Sequence, residues 1–161
     1  MSNNTQGESD IAIYDVLGLS GVSIAYSMND EDDKDLVYTE RTLSILDEFI
    51  AVGYEKSDTN DIVRTYFNSA KIYFKTKNYE KAVSLSPMGF SLQQLNDSMN
   101  GLEYLMYEKA YNLQQLAQVT EAEKFHFFAA AMAMINKNNE VIETETVSSV
   151  MKLYNVSHFM Y

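Results

Sequence analysis

The chain has 161 residues, no cysteine, six glycines, one proline, and a formal charge of −11 from 12 basic and 23 acidic residues. A chain of this length buries roughly 70% of its unfolded surface, enough for one domain without staples. The missing cysteines exclude disulfides and thiolate metal sites. Scattered glycines exclude a phosphate-cradling loop, and the acidic balance excludes a binder of the nucleic-acid backbone.

Residues 1–10 (MSNNTQGESD) have neither the basic nor the apolar region of a signal peptide and are expected to be a disordered lead-in. Residues 11–161 are expected to form one helical domain. No run approaches the ~18–20 apolar residues that cross a bilayer, so no membrane contact is expected, and a cytoplasmic location follows from the cysteine-free composition.

The first helix is predicted from Ile11, Tyr14, Leu17, Gly18, Gly21, Val22 and Ala25, at three- and four-residue steps on one face. Asn29–Asp35 (NDEDDKD) reads as a solvated loop whose last acids favour the next helix N-terminus. Leu36, Leu43, Leu46, Phe49 and Ile50 form the second stripe, stopped near Gly53. After the capping cluster Asp58–Asp61, a third helix carries Ile62, Val63, Tyr66, Ala70 and Tyr73. Lys77-Asn78 interrupts it. A fourth resumes at Tyr79 and meets Pro87, which is expected to kink it or split it into a turn and a continuation. The fifth runs through Leu102, Leu105, Met106, Ala110, Leu113 and Leu116, the sixth over Glu121–Asn136, and a short last helix through Val147, Val150, Met151 and Tyr154. No stretch alternates at period two. The expectation is an all-α domain of six or seven helices in antiparallel pairs.

An internal repeat shows in the spacing. Tyr66, Ala70, Tyr73, Tyr79 and Ala82 match a tetratricopeptide helix–turn–helix, where small residues let two helices approach and tyrosines fill the contact. Forty residues on, Met106, Ala110, Leu113 and Ala122 repeat the order, and Ala129 adds a further small position. A short tetratricopeptide-like array is the expected architecture. An ordinary helical bundle would account for the same Tyr/Ala stripe.

Leu102–Ile135 (LEYLMYEKAYNLQQLAQVTEAEKFHFFAAAMAMI) resembles the C-terminal repeat portion of peptide-pheromone-responsive regulators of Gram-positive bacteria, the PlcR and Rgg kind. The likeness covers roughly Asp58 to Ile135 and is one of pattern. It implies a sensor array that binds a short peptide and forms a homodimer. Such regulators also carry a DNA-binding helix-turn-helix domain, for which residues 1–35 are too short and too acidic, so this chain is not expected to touch nucleic acid.

In such an array the first helix of each pair lines a concave face where peptides lie. On the third helix Arg64, Phe67, Asn68, Lys71, Phe74 and Lys75 stand one step off the packing positions. Asn68 can both donate to and accept from a peptide backbone, which makes it the first choice. On the fifth, Tyr104, Tyr107 and Tyr111 form an aromatic stripe suited to a ligand groove, or simply to packing. The expected peptide-binding set is therefore Arg64, Phe67, Asn68, Lys71, Tyr104, Tyr107 and Tyr111.

Chemistry finds little support. Glu123 and His126 make half of a di-iron E-x-x-H motif with no second copy, so His126 reads as a packed or surface histidine and no metal or cofactor is expected. Ser20 lies in GLSGVS, not in a nucleophile elbow. Glu143 and Glu145 read as solvated charge. The aromatic end Phe159–Tyr161 is expected either to cap the array or to bury in a partner subunit. The function expected is non-enzymatic peptide or protein binding. The alternative is an acidic phage- or immunity-type inhibitor or scaffold that blocks a basic protein.

Overall fold

The computed structural model describes residues 11–95 and 101–135. Its elements are α1 (Ile13–Met28), α2 (Asp32–Val52), a 3₁₀ turn (Lys56–Asp58), α3 (Thr59–Lys75), α4 (Tyr79–Leu95), α5 (Leu102–Gln115) and α6 (Val119–Ile135). No strand occurs among the described residues. The expected helix at 147–154 and the aromatic terminus lie outside them.

The helices pack as three consecutive pairs, α1 with α2, α3 with α4 and α5 with α6. Between pairs, α2 and α4 each meet the first helix of the next pair, while α1 meets α3 and α3 meets α5. First helices therefore line one side of the array and second helices the other. α3, in the middle, touches α1, α2, α4 and α5, and this explains its unusually wide buried surface (Thr59, Ile62, Val63, Thr65, Tyr66, Ser69, Ala70, Ile72 and Tyr73).

One turn closes all three pairs. Asp30, Lys77 and Ala117 adopt φ of 57°, 62° and 57°, at successive spacings of 47 and 40 residues. The next residue's N–H reaches back to a carbonyl five residues earlier: Glu31 to Tyr26 (3.0 Å), Asn78 to Tyr73 (2.7 Å) and Gln118 to Leu113 (2.9 Å). This is the Schellman arrangement, which satisfies carbonyls orphaned at a helix end. The carbonyls of Glu31, Asn78 and Gln118 then accept the first bonds of the second helices, from Asp35, Ala82 and Ala122.

The turns set a register that extends the repeat to the first pair. Ser23, Ala70 and Ala110 are equivalent and buried, as are Thr42, Gly89 and Ala129. Small side chains let helices approach at these points; a Cβ on Gly89 would meet Leu105 Cδ1 at 2.7 Å. At the third small position, Ala82 and Ala122 correspond to Asp35, which is 0% exposed. The fully buried Leu46, Ile62 and Leu105 each contribute about 2 kcal/mol to the core.

Three local expectations change. The buried face of α1 is Val16, Ser20 and Ser23, while Gly18, Gly21, Val22 and Ala25 are exposed. Ser23 decides this polar face: its hydroxyl donates to the Asp35 carbonyl (3.1 Å) and shares a 2.6 Å hydrogen bond with Thr39, pinning α1 to α2. The acidic stretch is loop only as far as Glu31; Asp32–Asp35 form the first turn of α2, where carboxylates complement the helix dipole. Pro87 neither ends nor splits α4, which runs on to Leu95 with the ring exposed on its outer side.

Candidate binding groove

Asn68 occupies the middle of α3 on the first-helix side and borders two hollows. One, of about 350 Å³, lies between α3 and the start of α5 and is lined by Asn60, Val63, Arg64, Phe67, Asn68, Gly101 and Tyr104. The other, about 380 Å³, lies between α1 and α3 and is lined by Ile24, Ser27, Met28, Asn68, Lys71, Ile72, Phe74 and Lys75. The two form a groove across the first helices, with Asn68 shared. Its walls are mostly apolar with a few polar groups, the makeup of a site that buries an extended ligand.

The repeat register explains which residues reach this side. Gly21, Asn68 and Glu108 are equivalent, as are Leu17, Arg64 and Tyr104, and Ile24, Lys71 and Tyr111. A Cβ on Gly21 would meet nothing within 4 Å, so the groove is open at α1. At α5 it is tighter, since the Tyr104 ring tilts against Phe67 at 5.5 Å between centroids.

Of the expected set, Arg64, Phe67, Asn68 and Tyr104 share one hollow and Lys71 joins through the other. Tyr107 and Tyr111 do not line either. Their rings touch each other at 4.6 Å, and Tyr111 stands edge-on to His126 at 5.0 Å, so the lower half of the tyrosine stripe packs toward α6. Seven residues at 100° each return Tyr111 to within about 20° of the Tyr104 direction, so what holds it outside the hollow is its contact with His126 on α6.

The cations of α3 differ in what they already hold. Arg64 pairs with Asp61 one turn back at 2.8 Å. Lys75 bridges Asp30 (2.9 Å) and Asp32 (3.2 Å), tying the first turn to α3. Lys71 makes no ion pair among the described residues; its ammonium lies over the Phe67 ring, 5.4 Å from the centroid. Across from it on α5 is Glu108, 8% exposed, whose carboxyl burial pushes up to about 7, with Lys71 partly offsetting the rise. Sequence reasoning missed Glu108 because a glutamate within a tyrosine-rich helix reads as its solvated face. Its equivalence to Asn68 is the signal that finds it.

His126 is 1% exposed, and neither ring nitrogen has a hydrogen-bond partner among the described residues. Burial lowers its pKa, so it sits neutral against Tyr111. No cluster of three or more metal-ligating side chains occurs among the described residues. No helix among them is long and apolar enough to cross a membrane. No protein-family model and no curated protein matches the chain.

Proposed function

We propose that this chain is a non-enzymatic helical-repeat domain that binds a short peptide, or an extended segment of another protein, along its first helices. The observation that carries the reading is the shared position of Asn68. One amide borders both hollows, where it can pair with the donor and acceptor of a peptide backbone crossing α3. Phe67 and Tyr104 supply apolar contact area beside it.

The resemblance of Leu102–Ile135 to peptide-responsive regulators supports a regulatory role in the cytoplasm of a bacterium, as the sensor and dimerisation part of a transcription regulator. Occupancy of the groove would bias the packing between helix pairs and hence the geometry of a dimer. With its −11 charge, the chain would leave DNA contact to another domain.

The test is retention of random synthetic heptapeptides by immobilised protein, followed by calorimetry on a retained sequence. Asn68→Ala removes backbone pairing from a half-buried site and is expected to weaken binding about 5–30-fold, at unchanged thermal stability. Retention of no peptide by the unaltered protein, or equal affinity of Asn68→Ala, would overturn the reading.

A further inference from the structure

Resting on the peptide-binding reading above, we propose that the groove selects a peptide with an acidic side chain at its centre, received by Lys71 beside Asn68. Charge is the first observation. Arg64, Lys71 and Lys75 line the two hollows, and no aspartate or glutamate lines either among the described residues. In a chain of 12 basic and 23 acidic residues the groove therefore reverses the sign of the whole. At 0.15 M salt exposed charges are screened beyond about 8 Å, so the groups lining the groove decide which ligand enters and the distant acids do not.

Placement is the second observation. Arg64, Asn68, Lys71 and Lys75 follow one another at steps of four, three and four residues, a single row along α3. The cations at the ends of the row are held, Arg64 by Asp61 and Lys75 by Asp30 and Asp32, and those last two acids would repel a carboxylate at that end. Lys71, between them, is exposed and makes no ion pair among the described residues. It lines the hollow toward α1, yet its ammonium lies over the ring of Phe67, which lines the hollow toward α5. The charge thus stands at the divide between the hollows, on the row that holds Asn68. A ligand carboxylate there would accept from both the ammonium and the Asn68 amide, a charge-assisted pairing that a carboxamide does not match. Because a hollow opens on each side of this row, the peptide continues both ways, and the carboxylate belongs to a side chain rather than to a chain end.

The experiment uses the full chain, immobilised, and four heptapeptide pools whose flanks are randomised over uncharged residues. Three are acetylated and amidated, with a central glutamate, glutamine or arginine; the fourth is acetylated, with central glutamine and a free terminal carboxylate. In 0.15 M salt the glutamate pool is expected to be retained about 5–10-fold more than the amidated glutamine pool, and the arginine pool least. Lys71→Gln should bring the glutamate and glutamine pools level while still retaining both, and Lys71→Arg should keep the preference. Lys81→Gln removes the same charge from a second helix, where Lys81 pairs with Glu40, and should leave the preference unchanged. Equal retention of the glutamate and glutamine pools, a preference for arginine, or stronger retention of the free-acid pool than of the glutamate pool overturns this inference alone. So does a preference that survives Lys71→Gln, that is lost in Lys71→Arg, or that Lys81→Gln lowers as much as Lys71→Gln does. Retention of no pool overturns the peptide reading, and this inference with it.

Discussion

Single buried polar groups decide much of the behaviour at the residue scale. Asp35 stands where the other repeats have alanine; both its carboxylate oxygens are buried without a hydrogen-bond partner among the described residues, and burial pushes its pKa up. Ser27 and Lys75 offset this only in part. Asp35→Ala should therefore stabilise the fold at pH 7 by about 1–2 kcal/mol, read from urea unfolding. Glu108 behaves alike in sign. Its folded value of about 7 lies above the ordinary 4.5, so the folded state holds the proton more tightly. Its contribution is fully present below about 4.5 and is lost as pH rises through 7, an effect on the order of 3 kcal/mol between the limits. Urea midpoints should fall from pH 5 to pH 8, and Glu108→Gln should flatten that fall. His126 acts oppositely, because its lowered value makes folding oppose protonation as the pH drops below the ordinary 6.5. Asp35 and Glu108 were not legible in the sequence, where an acid on a helix reads as surface until a neighbouring helix covers it, whereas His126 reads there as packed or surface and the structure buries it.

The recurring unit at the element scale is a helix pair closed by a Schellman turn, and its sequence signal is weak for a physical reason. The position that needs positive φ usually carries glycine, which adopts it without a Cβ penalty. Here it carries Asp30, Lys77 and Ala117. Ala117 has no side-chain hydrogen bond to offset the strain, so Ala117→Gly should raise stability by about 0.5–1 kcal/mol, visible as a higher melting temperature. The interruption at Lys77-Asn78 was legible from the polar break, and the 40-residue repeat from its tyrosines and alanines. The first copy was hidden because Ser23, Asp35 and Thr42 stand at its small positions, where only size and burial are shared with alanine. Of the two outcomes expected at Pro87, a kink or a split, the split does not occur, since α4 continues to Leu95. A proline removes one backbone bond and crowds one carbonyl, and the packing of α4 on α3 and α5 outweighs that loss.

Stability at the scale of the whole molecule is a sum over neighbouring pairs, since contacts run within a pair or to the next one. Among the described residues the ion pairs between helix pairs are few and exposed: Lys75 to Asp30 and Asp32, and Lys81 to Glu40 between α4 and α2. Such pairs contribute little singly, whereas a charge of −11 on a small domain repels itself. Raising the salt from 0.02 to 0.5 M should therefore increase the urea midpoint, by about 1 kcal/mol of stability at pH 7; a decrease would show that the ion pairs outweigh the self-repulsion. Among the described residues, the first and last helices carry exposed apolar side chains, with Tyr14 and Met28 on α1 and Phe127, Phe128, Met134 and Ile135 on α6. Composition alone gave no sign of these, because burial of an apolar stripe depends on which helix lies beside it.

Periodicity, small residues and the scarcity of glycine, proline and β-patterning by themselves determined that this chain forms helices, where most of them lie, and that they stack in pairs. These are local properties, governed by spacing along one helix. That Asn68, Arg64, Phe67 and Lys71 share the face of α3 opposite its packing tyrosines was also within its reach, because it follows from the same 3.6-residue period. Only the tertiary structure decided that Asn68 joins two hollows, that the tyrosine stripe divides between groove and α6, and that Glu108 lies buried opposite Lys71. Each depends on the offset between neighbouring helices, which the turns set and which no single helix encodes.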